Sequence, residues 1–227
     1  MTAENPRRHL FLLIALLFIF ILSPFVLPFY YGPTIMNVVG AVVLLSATYA
    51  VSGRRLFLII AVTLSTLSIF MTFWLAAAPT HRVIIVAHTS VVLLIGFFAV
   101  VILVSVLRGG KVTADKIYGA VCAYLLLGYA WAFAYSVIEE VQPGSLTSLT
   151  STTPRDIVDR VMQLRYFSFV TLATVGYGDI VPRTPLARTM ALLEAMVGQF
   201  YLVALIGRLV GLHIVHGNPE RSGQRSD

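Results

Sequence analysis

Long, almost uncharged apolar runs decide what this chain can become. A helix crosses roughly 30 Å of hydrocarbon with roughly 20 mostly apolar residues. Residues 10–31, 34–52, 56–78, 83–107 and 116–138 meet that length or nearly so. A sixth run, 186–212, is interrupted only by Arg188, Glu194, Gln199 and Arg208. In lipid the backbone must satisfy its own polar groups, so such runs read as spanning helices. Of the 227 residues 58% are apolar and only 11% charged, where a soluble domain carries about a quarter. A single water-soluble domain and a disordered chain are both excluded. The lone Cys122 excludes an intrachain disulfide framework and a Cys-rich metal site. The class is an all-α membrane protein.

The first run is too long for a signal peptide, and Ser23-Pro24-Phe25 is no small-residue cleavage site. It reads as an uncleaved span bent near Pro24 and Pro28. Orientation follows from Lys and Arg in short loops. With the N-terminus inside, the inner face receives Arg7, Arg8, Arg54, Arg55, Arg108, Lys111, Lys116, Arg208, Arg221 and Arg225. The outer face receives Arg82, Arg155, Arg160, Arg165, Arg183 and Arg188. Ten against six predicts both termini in the cytoplasm, in a cell (inner) membrane surrounded by lipid. The formal charge of +6 is thereby explained without a nucleic-acid partner.

Between the fifth and sixth runs lie a polar, turn-rich stretch, 139–156, and an apolar segment near 161–181. The latter holds Thr174-Val175-Gly176-Tyr177-Gly178-Asp179. Irregular backbone at membrane depth is tolerated only where it is buried in protein or lines a watery path. Glycines at alternate positions allow right- and left-handed conformations to alternate without a Cβ penalty. That alternation turns successive carbonyls to the same side of the strand. Several copies around an axis would stack carbonyl rings, with the Thr174 hydroxyl below them. Such rings can replace the hydration shell of a potassium ion.

Thr174-Val175-Gly176-Tyr177-Gly178 is the signature filter of tetrameric potassium channels, and Tyr166-Phe167-Ser168-Phe169-Val170-Thr171-Leu172-Ala173 resembles their pore helix. The resemblance is strongest from about Lys116 to His213. It implies six transmembrane helices, with a re-entrant pore helix and selectivity-filter loop between helices five and six. Residues 1–110 would form a four-helix N-terminal transmembrane domain, 111–215 the pore domain and 216–227 a short cytoplasmic tail. K+ would bind at Thr174, Val175, Gly176 and Tyr177, while Gly178 permits the turn at the outer mouth. In similar channels the acid at the position of Asp179 bonds a pore-helix side chain thirteen residues earlier, which here is Tyr166. Val170 stands where some bacterial relatives have a glutamate, so that carboxylate pair is absent.

Thr153-Pro154-Arg155-Asp156 resembles a helix start, and Thr184-Pro185 offers a second one. In the sixth span Gly198 falls where similar channels keep a glycine hinge; close helix packing through a small residue is the other reading. Gln199, Leu202, Ile206 and Val210 would face the cavity at helical spacing. The last three form either an apolar gate or a packing stripe. Glu194 is expected behind the filter, against the pore helix or fifth span, neutral or paired. Arg208 would snorkel toward the inner headgroups.

Six spans with the pore in the last two resemble the voltage-gated class, yet residues 83–107 contain no Lys or Arg and only His88. Steep voltage dependence is therefore not expected. His88 reads as a hydrogen-bonded buried imidazole, and no convergent ligand set suggests zinc. No nucleophile elbow, phosphate loop or paired-acid site appears, so the chain reads as no enzyme. One filter strand per chain implies a homotetramer conducting K+ passively, with no organic cofactor. The alternative is a non-conducting or regulatory membrane subunit with a channel-like pore fold.

Overall fold

The computed structural model describes residues 8–27, 29, 32–51, 55–78, 80–107, 113–148 and 157–216. In chain order the elements are α1 (Arg8–Val26), α2 (Gly32–Val51), α3 (Arg55–Ala77), α4 (His81–Leu107), α5 (Ala114–Val141), β1 (Leu146–Ser148), α6 (Ile157–Leu172), β2 (Ile180–Pro182) and α7 (Pro185–His216). Five helices are long and apolar enough to cross a membrane: α1, α3, α4, α5 and α7. The sixth expected span, α2, offers the shorter apolar run Val38–Tyr49 among the described residues. The chain is an all-α integral membrane protein.

α1 ends five residues before the expected span does. Pro24 lies in its last turn and lacks a backbone donor, and Leu27, just past the end, precedes Pro28 in sequence, a position that disfavours helical geometry. Hydrogen bonds from Leu27 N to Ser23 O and from Gly32 N to Phe29 O turn the chain into α2. Pro28 itself lies outside the described residues, as do the Thr153–Asp156 helix start and tail residues 217–227.

α5 organises the packing. It lies most extensively against α4, and also meets α1, α6 and α7. Its small residues Gly119, Ala120, Ala123 and Ala132 are buried, which lets neighbouring backbones come close. The larger core joins Leu12 and Leu16 of α1 with Leu94, Phe98 and Ile102 of α4 and Leu126 of α5. A smaller core joins Tyr135 and Ile138 of α5 with Leu164 and Phe167 of α6 and Ala187 of α7.

Polar clamps hold both ends of α5. At its N-terminal end Thr113 caps the helix by accepting from Lys116 N, and Asp115 in the first turn accepts from His9 N and pairs with its ring at 2.6 Å. At its C-terminal end Glu140 pairs with His81 of α4 and lies 3.7 Å from Arg160 of α6. Beyond α5 the chain is not merely a polar turn. β1 pairs antiparallel with β2, Leu146 opposite Pro182 and Ser148 opposite Ile180. This two-stranded link, absent from the sequence-based expectation, ties the loop after α5 to the segment that leaves the glycine-rich motif. Three-residue strands carry no readable alternation, so the sequence could not announce them.

Candidate ion-conducting site

The site begins where α6 ends. Leu172, the last residue of that helix, is buried, and the backbone then folds back over the helix terminus. Thr174 N donates to Thr171 O, and Val175 N donates to Val170 O at 2.9 Å. Thr174, Gly176 and Gly178 have φ of 56°, 58° and 78°. Left-handed backbone at every second residue is the alternation expected from the sequence. Glycine adopts it freely; Thr174 does so at a steric cost that persists only where surrounding structure imposes it. Residues 173–178 are all exposed on the single chain, Val175 by 53% and Tyr177 by 71%. This segment is thus left uncovered on the single chain.

Tyr166 Oη donates to Asp179 Oδ2 at 2.7 Å, the pairing expected across the filter. Asp179 Oδ1 accepts from Ile180 N, so the carboxylate also anchors the start of β2. The Tyr166 and Tyr177 rings are parallel with centroids 6.4 Å apart. Asp179, by accepting the phenolic proton, holds Tyr166 above the ordinary tyrosine pKa. Val170 supplies only its carbonyl here, to the backbone N–H groups of Val175 and Gly176.

Behind the strand, α7 starts at Pro185 with Thr184 Oγ1 accepting from Ala187 N, as its start signal predicted. α7 runs unbroken through Gly198 to His216. A Cβ at Gly198 would collide with the carbonyl of Leu172 and touch that residue's side chain. α7 thus packs closely on the end of α6 at Gly198. Gln199, Leu202 and Ile206 are exposed on α7 of the single chain. The Val210 side chain lies outside the described residues.

Glu194 is fully buried, accepting from Tyr135 Oη at 2.6 Å and lying 2.5 Å from Ser168 Oγ. It thus packs against both α5 and α6, where the sequence suggested one or the other. Ser168 and Tyr135 were not singled out from sequence. They lie 26 and 59 residues from Glu194, beyond any local pattern. The only hint was that Ser168 lies four residues from both Leu164 and Leu172, on the buried stripe of α6. Tyr201 of α7 donates to the Ala120 carbonyl of α5, a further link that sequence did not reveal. His88 bonds Ser136 Oγ at 2.8 Å between α4 and α5, the buried imidazole anticipated. Arg208 is the last residue of the apolar stretch of α7. Among the described residues no group of three or more His, Cys, Asp or Glu side chains could hold a metal ion.

The N-terminal region reaches the site directly. Phe20 of α1 meets Phe169 of α6 edge-on at 5.0 Å, and the Arg165 guanidinium lies 5.8 Å over the Phe20 ring. Phe169 in turn rests against Gly128, where a Cβ would stand 2.6 Å from the ring.

α6, the segment of alternating backbone handedness that follows it and α7 packed behind them form one contiguous unit. Residues 121–212 match the family described as ion channel. Among its relatives, the voltage-gated potassium channel of Aeropyrum pernix is 33% identical over 116 residues, 48% of this chain and 35% of that one. The inward rectifier potassium channel Kirbac3.1 of Paramagnetospirillum magnetotacticum is 36% identical over 83 residues, 35% of this chain and 23% of its own. The two pore potassium channel c of Oryza sativa subsp. japonica is 33% identical over 88 residues, 39% of this chain and 17% of its own. The chain thus spans about a third or less of the length of these relatives. No solved structure matches.

Proposed function

We propose that this protein is a potassium-selective channel subunit that conducts K+ passively across a cell (inner) membrane as a homotetramer. The observation that carries the reading is the left-handed backbone at Thr174, Gly176 and Gly178. Alternation of this kind aims successive carbonyls to one side, and four copies around an axis would make stacked oxygen rings. K+ would be held by Thr174, Val175, Gly176 and Tyr177, with Gly178 at the outer mouth. Repulsion between ions in neighbouring rings keeps occupancy from becoming a trap. Exposure of residues 173–178 supports the tetramer, because an isolated strand would face lipid with unsatisfied backbone.

Gln199 would line the cavity beneath the filter, and Leu202, Ile206 and Val210 the apolar path to the inner mouth. The absence of Lys and Arg from 83–107 supports conduction without steep voltage dependence. Residues 1–110 act in this reading as the four-helix surround, 111–215 as the pore and 216–227 as a cytoplasmic tail. The test uses purified protein in potassium-loaded liposomes placed in sodium medium. Potassium efflux that a sodium-loaded control does not match supports the channel; intact tetramers with no flux would favour the regulatory subunit instead.

A further inference from the structure

The buried cluster behind the filter carries more charge information than its distances state. Tyr135, Ser168 and Glu194 are each fully buried at 0% exposure. Tyr135 Oη lies 2.6 Å from Glu194 Oε2, and Ser168 Oγ lies 2.5 Å from Glu194 Oε1. The same Ser168 Oγ lies 2.8 Å from the Gly128 carbonyl. A serine has one proton to donate, and a backbone carbonyl and a carboxylate can only accept. With Glu194 ionised, Ser168 serves one acceptor and leaves two oxygens facing each other without a proton. Among the described residues no basic side chain pairs with Glu194. An ionised form would be an unpaired charge at membrane depth.

We propose that Glu194 is a protonated, uncharged acid whose Oε1–H donates to Ser168 Oγ, freeing the Ser168 hydroxyl to donate to the Gly128 carbonyl. The hydrogen bonds then form a closed circuit from Tyr135 of α5 to Glu194 of α7, on to Ser168 of α6 and back to Gly128 of α5. Every proton has one acceptor. One turn farther along α7, Gly198 seats against Leu172, which lies one turn beyond Ser168. Glu194 and Gly198 therefore meet Ser168 and Leu172 as two matched i,i+4 pairs. Glu194 touches neither ion nor filter strand. It is a positioning residue that fixes the pore helix on the inner helix through neutral hydrogen bonds. Its functional consequence rests on the channel reading; its protonation does not.

Infrared spectroscopy of the full chain in lipid at neutral pH reads the protonation directly. Wild type should show the carbonyl-stretch band of a protonated carboxylic acid, and Glu194→Gln should lose it. In Ser168→Ala the acid proton loses its acceptor, so the band should move to higher frequency. A wild type without the band, or a band unchanged in either variant, would overturn the assignment. Glutamine reproduces the pattern, its N–H donating to Ser168 and its carbonyl accepting from Tyr135. Potassium flux in Glu194→Gln should stay within about twofold of wild type, and in Glu194→Ala fall roughly tenfold or more. Equal losses in both variants would overturn the neutral positioning role. The band in a wild type that conducts nothing would support the protonation and count against the channel reading alone.

Discussion

α3 and α7 are both largely uncovered in the single chain, with 11% and 17% of their apolar windows buried against 56% for α5. Their exposure has different meanings. α3 shows lipid-compatible side chains such as Leu56, Ile59, Phe70 and Phe73, and its Thr63, Thr66 and Thr72 hydroxyls return to carbonyls four residues back. Its buried Ser65 and Ser68 hydroxyls have no partner. α7 instead couples outward: Glu194 reaches α5 and α6, Tyr201 reaches α5, and Gly198 admits the end of α6. Apolar bulk is enough to specify the outer helices, whereas the pore is specified by polar links that admit one arrangement.

The comparison breaks most visibly at glycine. Gly176→Ala forces a left-handed residue that alanine resists by about 1–2 kcal/mol. We expect potassium flux in liposomes to fall roughly a hundredfold, because the carbonyl rings are lost. Gly96→Ala in α4 meets open space and should conduct normally, with helix propensity improved by up to about 1 kcal/mol. Equal losses in the two variants would show that the pore and its surround tolerate change alike.

Gly198→Ala drives a Cβ into the Leu172 carbonyl and should lower stability by about 1–3 kcal/mol. Thermal unfolding in detergent measures it; an unchanged midpoint would mean that α7 stands off the pore helix. Tyr166→Phe removes the donor to Asp179 and should reduce sustained current several-fold in bilayers while leaving the fold intact. Ser136→Ala, which strands the buried His88 between α4 and α5, should cost about 1 kcal/mol in thermal unfolding without altering ion preference. The smallest effect belongs to Ser68→Ala. Its hydroxyl has no partner in α3, so the same measurement should show no loss, or a slight gain.

What the sequence made legible follows the same division. Spanning helices are local events, announced by apolar runs, and α3 and α4 begin and end within two residues of 56–78 and 83–107. The glycine-rich motif was legible because consecutive residues carry it, and the pairing of Asp179 with Tyr166 through the resemblance to potassium channels. Glu194 announced itself as an anomaly, a charge-bearing residue in a span, but its partners on α5 and α6 did not. Ser168 and Tyr135 acquire meaning only when three helices meet, and β1 with β2 only when the outer loop folds back. The contact of Phe20 with Phe169 was invisible for the same reason: an aromatic in an apolar run looks like any lipid-facing one.

Ion preference is the property on which the account stands. Purified wild-type protein in a planar bilayer, with potassium on one side and sodium on the other, gives it as a reversal potential. A reversal close to the potassium equilibrium potential is expected. A current reversing near zero would contradict it, because Thr174 to Gly178 would then form a pore that does not distinguish the two ions.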